Sequence, residues 1–294
     1  MEQFEIIIEK IRDNYINYIA FIRNRIIFDD INYNRYEIII SNDLNDLYDD
    51  LLQQLSEELE FNYSLTNLIL AEPENITNKG YKYLSNILKK NSSLNKLILF
   101  YENINEKLKF FCDGLKVNSS LTYLNLESDE LDDEGLKKLS ECLKINSSIT
   151  SLNLSDNEIT DEGLEELSDA LKVNSSIISL DLSINRITDE GLKKLSECLK
   201  INSSITSLNL STNEIMYKGY KYLSDALKVN SSIISLDLSN NKIIDEGYKY
   251  LNDALKVNSS IISLDLSGNK ITDEEIKYLN ESLKENITLI EINF

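Results

Sequence analysis

The chain has 294 residues, of which 42% are hydrophobic, enough to bury a core in one or two domains. Fifty acidic residues against thirty basic ones leave a formal net charge of −20, so neither nucleic acid nor an anionic membrane is an expected partner. Histidine is absent from the sequence, which excludes His-dependent catalytic triads and dyads and most zinc sites. We therefore predict a protein that is not an enzyme and has no metal or cofactor.

The N-terminal part of the chain is predicted to be helical. Apolar side chains recur there at helical spacing, at Phe4, Ile8, Ile11, Tyr15, Tyr18 and Ile22. Residues 36–40 then predict a strand, and leucines at positions 44, 47, 51, 55 and 59 predict a second helix. We interpret residues 1–64 as a helical cap that includes a degenerate first copy of the repeat that follows.

The segment from residue 65 onward repeats itself. The triplet Asn-Ser-Ser recurs with a step of 28 residues, at Asn118, Asn146, Asn174, Asn202, Asn230 and Asn258. Eight repeats fit over residues 65–288, and residues 289–294 form a bare terminal strand in the same register. Such a period is typical of stacked architectures, in which each repeat buries its apolar face only against its neighbours.

Residues 149–176 represent one repeat. Leu152 and Leu154 alternate with polar residues, which predicts a short strand whose polar side chains point outward. Leucines at positions 164, 167 and 171 predict an amphipathic helix that covers the strand. Thr160 or Asp161 is expected to cap this helix, and Asn174 is expected to adopt the left-handed conformation common at helix ends.

The leading LxxLxLxxNxI pattern and the GLxxLxxAL helix resemble leucine-rich repeats, and the 28-residue length resembles their ribonuclease-inhibitor-like subclass. The resemblance implies an α/β fold, a leucine-rich-repeat solenoid. In this curved horseshoe, parallel strands line the concave face and helices line the convex face.

One polar column lies at a position that the pattern buries. We predict that it is a structural ladder whose side chains satisfy the turn backbone of adjacent repeats, formed by Asn157, Asn185, Asn213, Asn241 and Asn269. The Asn-Ser-Ser triplets are also glycosylation sequons, but without a recognisable signal peptide we favour a structural role in the turns.

The concave face is the predicted protein-binding surface, because a strand layer presents a large rigid area. Its early strands place larger side chains outward, namely Ile69, Lys96, Ile98, Phe100, Tyr123, Asn125 and Glu127. The alternative is that these residues pack beneath the N-terminal cap. The later strands carry serines and an acidic column of Asp181, Asp237 and Asp265, in which neighbouring carboxylates should repel one another and favour a basic partner.

A second candidate surface lies on the convex face. Tyrosines replace a polar helix residue in three consecutive repeats, at Tyr222, Tyr250 and Tyr278. Amphipathic tyrosines commonly cover neighbouring helices while their hydroxyl stays in water, and this is the favoured interpretation. The alternative is a strip for a partner or for self-association.

Taken together, these features predict a noncatalytic protein-protein interaction scaffold. One alternative is an enzyme regulator, since ribonuclease-inhibitor-like arrays resemble GTPase-activating proteins of the Ran type. Those have a long acidic tail and an activating Arg or Asn, neither of which we identify here. A further alternative, suggested by the Ile, Asn, Lys and Tyr bias, is a host-directed effector of a parasite, intracellular bacterium or giant virus, acting in the host cytoplasm.

The expected location is the cytoplasm. The first ten residues contain acids where a secretory signal needs a basic region, and no uncharged apolar run reaches the roughly 18 residues of a membrane span. The cysteines, Cys112, Cys142 and Cys198, are too few and too widely spaced for a disulfide framework. The sequence contains no signal that identifies an oligomeric state.

Overall fold

The computed structural model describes residues 36–41, 48–58, 65–71, 76–100, 103–128, 130–283 and 286–294. The helix predicted over the first 35 residues lies outside these ranges, as do three leucines of the following stripe, Leu44, Leu47 and Leu59. The chain folds as two compact units, Met1–Glu130 and Leu131–Phe294, which we call the N-terminal and C-terminal units.

The N-terminal unit alternates strands with helices. In chain order the elements are β1 (Tyr36–Ser41), α1 (Tyr48–Glu58), β2 (Leu65–Ala71), α2 (Asn78–Lys90), β3 (Lys96–Phe100), α3 (Leu108–Leu115) and β4 (Tyr123–Asn125). Each strand pairs in parallel with the next one along the chain. The register aligns Asn67 with Lys96 and Tyr123, and Ile69 with Ile98 and Asn125.

The C-terminal unit continues the alternation with shorter strands. Its helices are α4 (Asp133–Leu143), α5 (Asp161–Leu171), α6 (Asp189–Leu199), α7 (Tyr217–Leu227), α8 (Asp245–Leu255) and α9 (Asp273–Leu283). Its strands are β5 (Ser151–Asn153), β6 (Ser179–Asp181), β7 (Ser207–Asn209), β8 (Ser235–Asp237), β9 (Ser263–Asp265) and β10 (Glu291–Asn293). They pair in parallel in sequence order with no register shift, so equivalent residues of successive repeats form straight columns.

Burial follows the two predicted periods. Leu152 and Leu154 are buried beneath β5, while Ser151 and Asn153 on the other side of the strand are half-buried. The leucine stripe of α5 is buried against the strand layer, and Ala170 is buried beside it. The small-residue column continues in other helices with Cys142 and Cys198, which are also buried. The predicted α/β class, with parallel strands alternating with helices, is confirmed.

Helix starts link one repeat to the next. Thr160 is the N-cap of α5, and its hydroxyl accepts a hydrogen bond from the Glu162 amide. The same threonine donates from its amide and its hydroxyl to the Asp133 carboxylate of the preceding repeat, at 2.9 and 2.6 Å. Thr188 and Asp161 repeat this arrangement at 2.8 and 2.6 Å. Asp161 therefore accepts hydrogen bonds from the N-cap of the following helix, whereas its own helix is capped by Thr160.

The prediction for Asn174 is wrong. The left-handed residues of the C-terminal unit lie after the strands, at Asp156, Ile184, Thr212, Asn240 and Gly268, and not at the helix end. Instead, Asn174 Oδ1 accepts from the amides of Ser176 and Ile177, and Nδ2 donates to the carbonyls of Leu143 and Asn146. The side chain organises the turn from helix to strand and ties it to the preceding repeat, so an ordinary backbone conformation suffices.

Candidate binding surfaces

The outward side of β2–β4, which we call the N-terminal strand face, combines apolar, aromatic and charged side chains. Ile69, Lys96 and Tyr123 are half-buried. The Lys96 Nζ lies 5.2 Å from the centroid of the Tyr123 ring, within the distance of a cation–π contact. The pairing of β3 with β4 thus places Lys96 and Tyr123 side by side on the strand layer.

Four other residues were predicted for this face. Ile98 and Asn125 share the outward register but are only 7% and 3% exposed, so they offer little surface to a partner. Asn125 Oδ1 accepts from the Glu127 amide at 2.7 Å, which shapes the loop after β4. The half-buried Glu127 closes that loop. Phe100 is placed by its backbone opposite Ala71, and its side chain lies outside the described residues.

The outward side of β5–β9, the C-terminal strand face, is small and acidic. Asp181 Oδ1 accepts from the Ser183 amide at 2.9 Å, and Oδ2 accepts from Asn209 Nδ2 at 3.0 Å. Asp237 and Asp265 are register neighbours on β8 and β9, and each accepts from the backbone amide two residues further on. One oxygen of each of these three carboxylates thus accepts a hydrogen bond from the turn that follows its own strand.

Hydrogen bonding sets the charge state of the last aspartate in this column. Burial acts to raise the pKa of Asp265, but hydrogen bonds from Ser267 and Asn293 outweigh it and lower the pKa below its usual value. Asp265 is therefore held as a carboxylate near neutral pH, beside the carboxyl group of Asp237. The column can present negative charge to solvent.

The predicted asparagine ladder, which contains Asn185, Asn213 and Asn241, lies after the strands and bridges successive repeats. Asn213 Oδ1 accepts from the Ile187 amide of the preceding repeat at 3.1 Å. Its Nδ2 lies 3.0 Å from the Leu182 carbonyl and 3.2 Å from the carbonyls of Leu210 and Ser211. Asn185 and Asn241 bond in the same manner. The polar atoms of these side chains therefore bond to backbone groups of their own repeat and of the preceding one.

The three helix-face tyrosines differ in exposure. Tyr222 and Tyr250 are half-buried, with the Nζ atoms of Lys193 and Lys221 at 5.5 and 5.9 Å from their ring centroids. Tyr278 is 53% exposed. The first two therefore lie against lysines of the preceding helix.

Sequence reasoning missed a group of polar residues between α8 and α9. Tyr248, Asn252 and Glu275 line a cavity of about 420 Å³ together with Thr272 and Tyr278. Tyr248 occupies the buried leucine position of its helix and is 2% exposed, and Glu275 is 7% exposed. The sequence did contain one indication. Position 275 is a glutamate, whereas the equivalent position is glycine in each of the five preceding repeats, at Gly135, Gly163, Gly191, Gly219 and Gly247.

The described residues contain no cluster of three or more acidic, Cys or His side chains arranged to hold a metal ion. Within the same part of the chain, no helix combines the length and apolar character required to cross a bilayer.

Parallel strands alternating with helices at a 28-residue period define a leucine-rich-repeat fold. Five segments match the family model described as Leucine Rich repeat, over residues 117–140, 146–168, 173–196, 229–251 and 257–278. The chain is a leucine-rich-repeat protein, as its repeat pattern predicted.

Two solved structures are similar in part. A structure titled "Leiomodin-1 Actin-Binding Site 2 (ABS2)" is 24% identical, with a TM-score of 0.45 over 52% of this chain and 88% of its own. The tropomodulin C-terminal domain of Caenorhabditis elegans is 17% identical, with a TM-score of 0.42 over 51% of this chain and 92% of its own. No curated protein matches the chain. At these levels of similarity neither structure bears on function.

Proposed function

We propose that the protein is a noncatalytic scaffold that binds a protein partner through the N-terminal strand face. The observation that carries the proposal is the Lys96–Tyr123 pair, which places a cation over an aromatic ring beside the half-buried Ile69. Binding energy at protein interfaces is concentrated in aromatic and arginine anchors surrounded by well-packed side chains, and Tyr123 is such an aromatic residue. A residue pair of this kind on a rigid strand layer suits a partner with an apolar patch and an acidic group.

The C-terminal strand face supports a contribution from a basic partner region. Its aspartates accept hydrogen bonds from their own loops, yet Asp265 keeps a lowered pKa and stays ionised. With a net charge of −20 over the whole chain, electrostatic steering would accelerate encounters with cationic proteins. In this scheme the N-terminal face supplies anchoring, while the C-terminal face contributes to the association rate.

We place the protein in the cytoplasm and its repeats in the ribonuclease-inhibitor-like subclass. The 28-residue period supports the subclass. The location is supported by the sequon asparagines Asn118, Asn174, Asn202, Asn230 and Asn258, which are buried and whose Nδ2 atoms donate to backbone carbonyls. A glycan linked through Nδ2 needs a solvent-accessible nitrogen, so these sites are poorly suited to glycosylation in the folded protein.

The test is quantitative affinity purification with wild-type protein and two matched variants. Tyr123→Ser removes the ring beneath Lys96, whereas Tyr222→Ser removes an equally half-buried ring beneath Lys193 on the helix face. We expect one or more proteins to be recovered with wild type and with Tyr222→Ser but to be depleted with Tyr123→Ser. Equal recovery with all three baits refutes the proposal, and depletion only with Tyr222→Ser assigns binding to the helix face.

A further inference from the structure

Helices α2 and α3 of the N-terminal unit carry a concentration of positive charge. Residues 78–116, which include both helices, contain eight lysines and three acidic residues, which leaves a formal charge of +5 on this segment in a chain whose total is −20. Helix α2 itself contains no acidic residue and has four exposed lysines, Lys79, Lys82, Lys89 and Lys90. The charge of this segment is therefore opposite to that of the chain as a whole.

Two aromatic rings lie among these lysines. The Nζ atoms of Lys82 on α2 and Lys109 on α3 each lie 4.8 Å from the centroid of the Phe110 ring. Lys79 Nζ lies 5.6 Å from the centroid of the Tyr83 ring. These distances are within the range of cation–π contacts. Both rings are half-buried, so each keeps some apolar surface in contact with solvent. We call these five residues the basic helix face.

The three lysines of the basic helix face form no ion pair with a carboxylate among the described residues. Lysines on helices of the C-terminal unit, by contrast, pair across repeats. Lys137 Nζ lies 3.0 Å from the Glu166 carboxylate, and Lys194 Nζ lies 2.5 Å from that of Glu165. Neighbouring acids thus partly compensate the charge of Lys137 and Lys194, whereas the charge of the basic helix face is available to a partner.

Helix stability does not account for the lysine at the start of α2. Lys79 is the second residue of this helix, and its amide donates to the N-cap hydroxyl of Thr77 at 3.0 Å. A cation at this end of a helix opposes the helix dipole. Helices α4, α5 and α6 begin with Asp-Glu instead, which the dipole favours. The presence of Lys79 therefore needs a reason other than helix stability.

We propose that the basic helix face binds a short acidic segment of a partner protein. The ammonium groups of Lys82 and Lys109 each lie 4.8 Å from the same ring centroid, so they are at most twice that distance apart. Carboxylates two residues apart in an extended segment are separated by about 7 Å, so one short segment can reach both lysines. An apolar side chain of the same segment covers the exposed part of the Phe110 ring.

The surroundings of the face favour a short acidic segment over a long polyanion such as nucleic acid. Helix α1 lies directly beside α2, since the Tyr83 hydroxyl donates to Gln53 Oε1 of α1 at 2.8 Å. Helix α1 contains no basic residue, and its Asp50 and Glu57 are exposed. A long polyanion extends beyond α2 and meets these carboxylates, whereas a segment of a few residues does not.

The first experiment measures fluorescence anisotropy with the full chain and probes that carry an uncharged dye. The probe peptide has four glutamates and one leucine, and its counterpart has glutamines in their place. A single-stranded oligonucleotide of five nucleotides provides four phosphate charges. We expect the acidic peptide to bind with an affinity that falls as salt is raised from about 50 to about 300 mM, and the other two probes to bind more weakly. Failure of the acidic peptide to bind, an affinity independent of salt, or equal or tighter binding of either other probe overturns the proposal.

Matched double variants test the assignment to this face. Lys82→Gln combined with Lys109→Gln removes both charges beside Phe110, and we expect about a tenfold loss of affinity for the acidic peptide because two charge-assisted contacts are lost. Lys137→Gln combined with Lys194→Gln removes the same charge from lysines that already pair with carboxylates, and should change the affinity less than about twofold. Equal losses in the two double variants would mean that the peptide responds only to total charge, which contradicts the proposal.

A variant of the N-terminal strand face separates this inference from the proposed scaffold function. Tyr123→Ser changes a residue of strand β4, whereas the basic helix face consists of residues of α2 and α3. We therefore expect this variant to bind the acidic peptide as wild type does. Loss of peptide binding in Tyr123→Ser would place the peptide on the strands and overturn the assignment to the helices.

Discussion

Replacement of Asn213 by alanine should destabilise the C-terminal unit strongly, because the side chain bonds to four backbone groups. The variant loses the acceptor for the Ile187 amide and the donors to the carbonyls of Leu182, Leu210 and Ser211. Orphaning one buried donor costs about 1–3 kcal/mol. The carbonyls each retain a second lone pair, so their combined loss is smaller, about 1 kcal/mol. We expect a total destabilisation of about 2–4 kcal/mol.

Two measurements check this value. Urea unfolding followed by circular dichroism measures the change in stability, and amide hydrogen exchange reports the local effect. The Ile187 amide should exchange faster in Asn213→Ala than in wild type. The matched control is Asn280→Ala, an exposed asparagine of α9, which should change stability by less than about 0.5 kcal/mol. If the two variants unfold at the same urea concentration and Ile187 keeps its protection, the column has no stabilising role.

Three further predictions test the strand faces and the core. Leu180→Ala should cost about 2–5 kcal/mol because the side chain is 1% exposed, whereas Ser179→Ala should cost less than about 0.5 kcal/mol; equal costs in urea titrations would mean that the faces are reversed. Burial raises the pKa of Cys198 to about 12, so its thiol should resist alkylation at mildly alkaline pH and react only after unfolding; rapid labelling of the native protein would contradict this. Once a basic partner is identified, its association rate with the protein should fall as the salt concentration is raised. The rate should also fall in the double variant Asp237→Asn with Asp265→Asn. If neither change alters the rate, the acidic column contributes only to solubility.

Several features of the candidate surfaces were predictable because they depend on local sequence alone. The outward register of Ile69, Lys96 and Tyr123 follows from the two-residue period of a strand. Their actual exposure does not, because it depends on which side chains lie alongside. Ile98 and Asn125 share that register and are nevertheless buried.

The role of the asparagines after the helices was likewise not predictable from local sequence. Asparagines equivalent to Asn174 follow the helices of several repeats, and local propensity suggests a left-handed residue there. Its observed partners are carbonyls of the preceding repeat, at Leu143 and Asn146, which lie 31 and 28 residues away. Contacts at that separation arise only when repeats stack, so a single repeat examined alone cannot reveal them.

The sequence by itself determined the repeat length, the alternation of strand and helix, and the face of each that is buried, because these properties are set by side-chain periodicity within about ten residues. Tertiary structure alone decided that Tyr248 and Glu275 line the same cavity. Tyr248 and Glu275 lie 27 positions apart in neighbouring repeats, and each has an ordinary local explanation, a core aromatic and a helix cap. Only the packing of α8 against α9 places these two residues in the wall of one cavity.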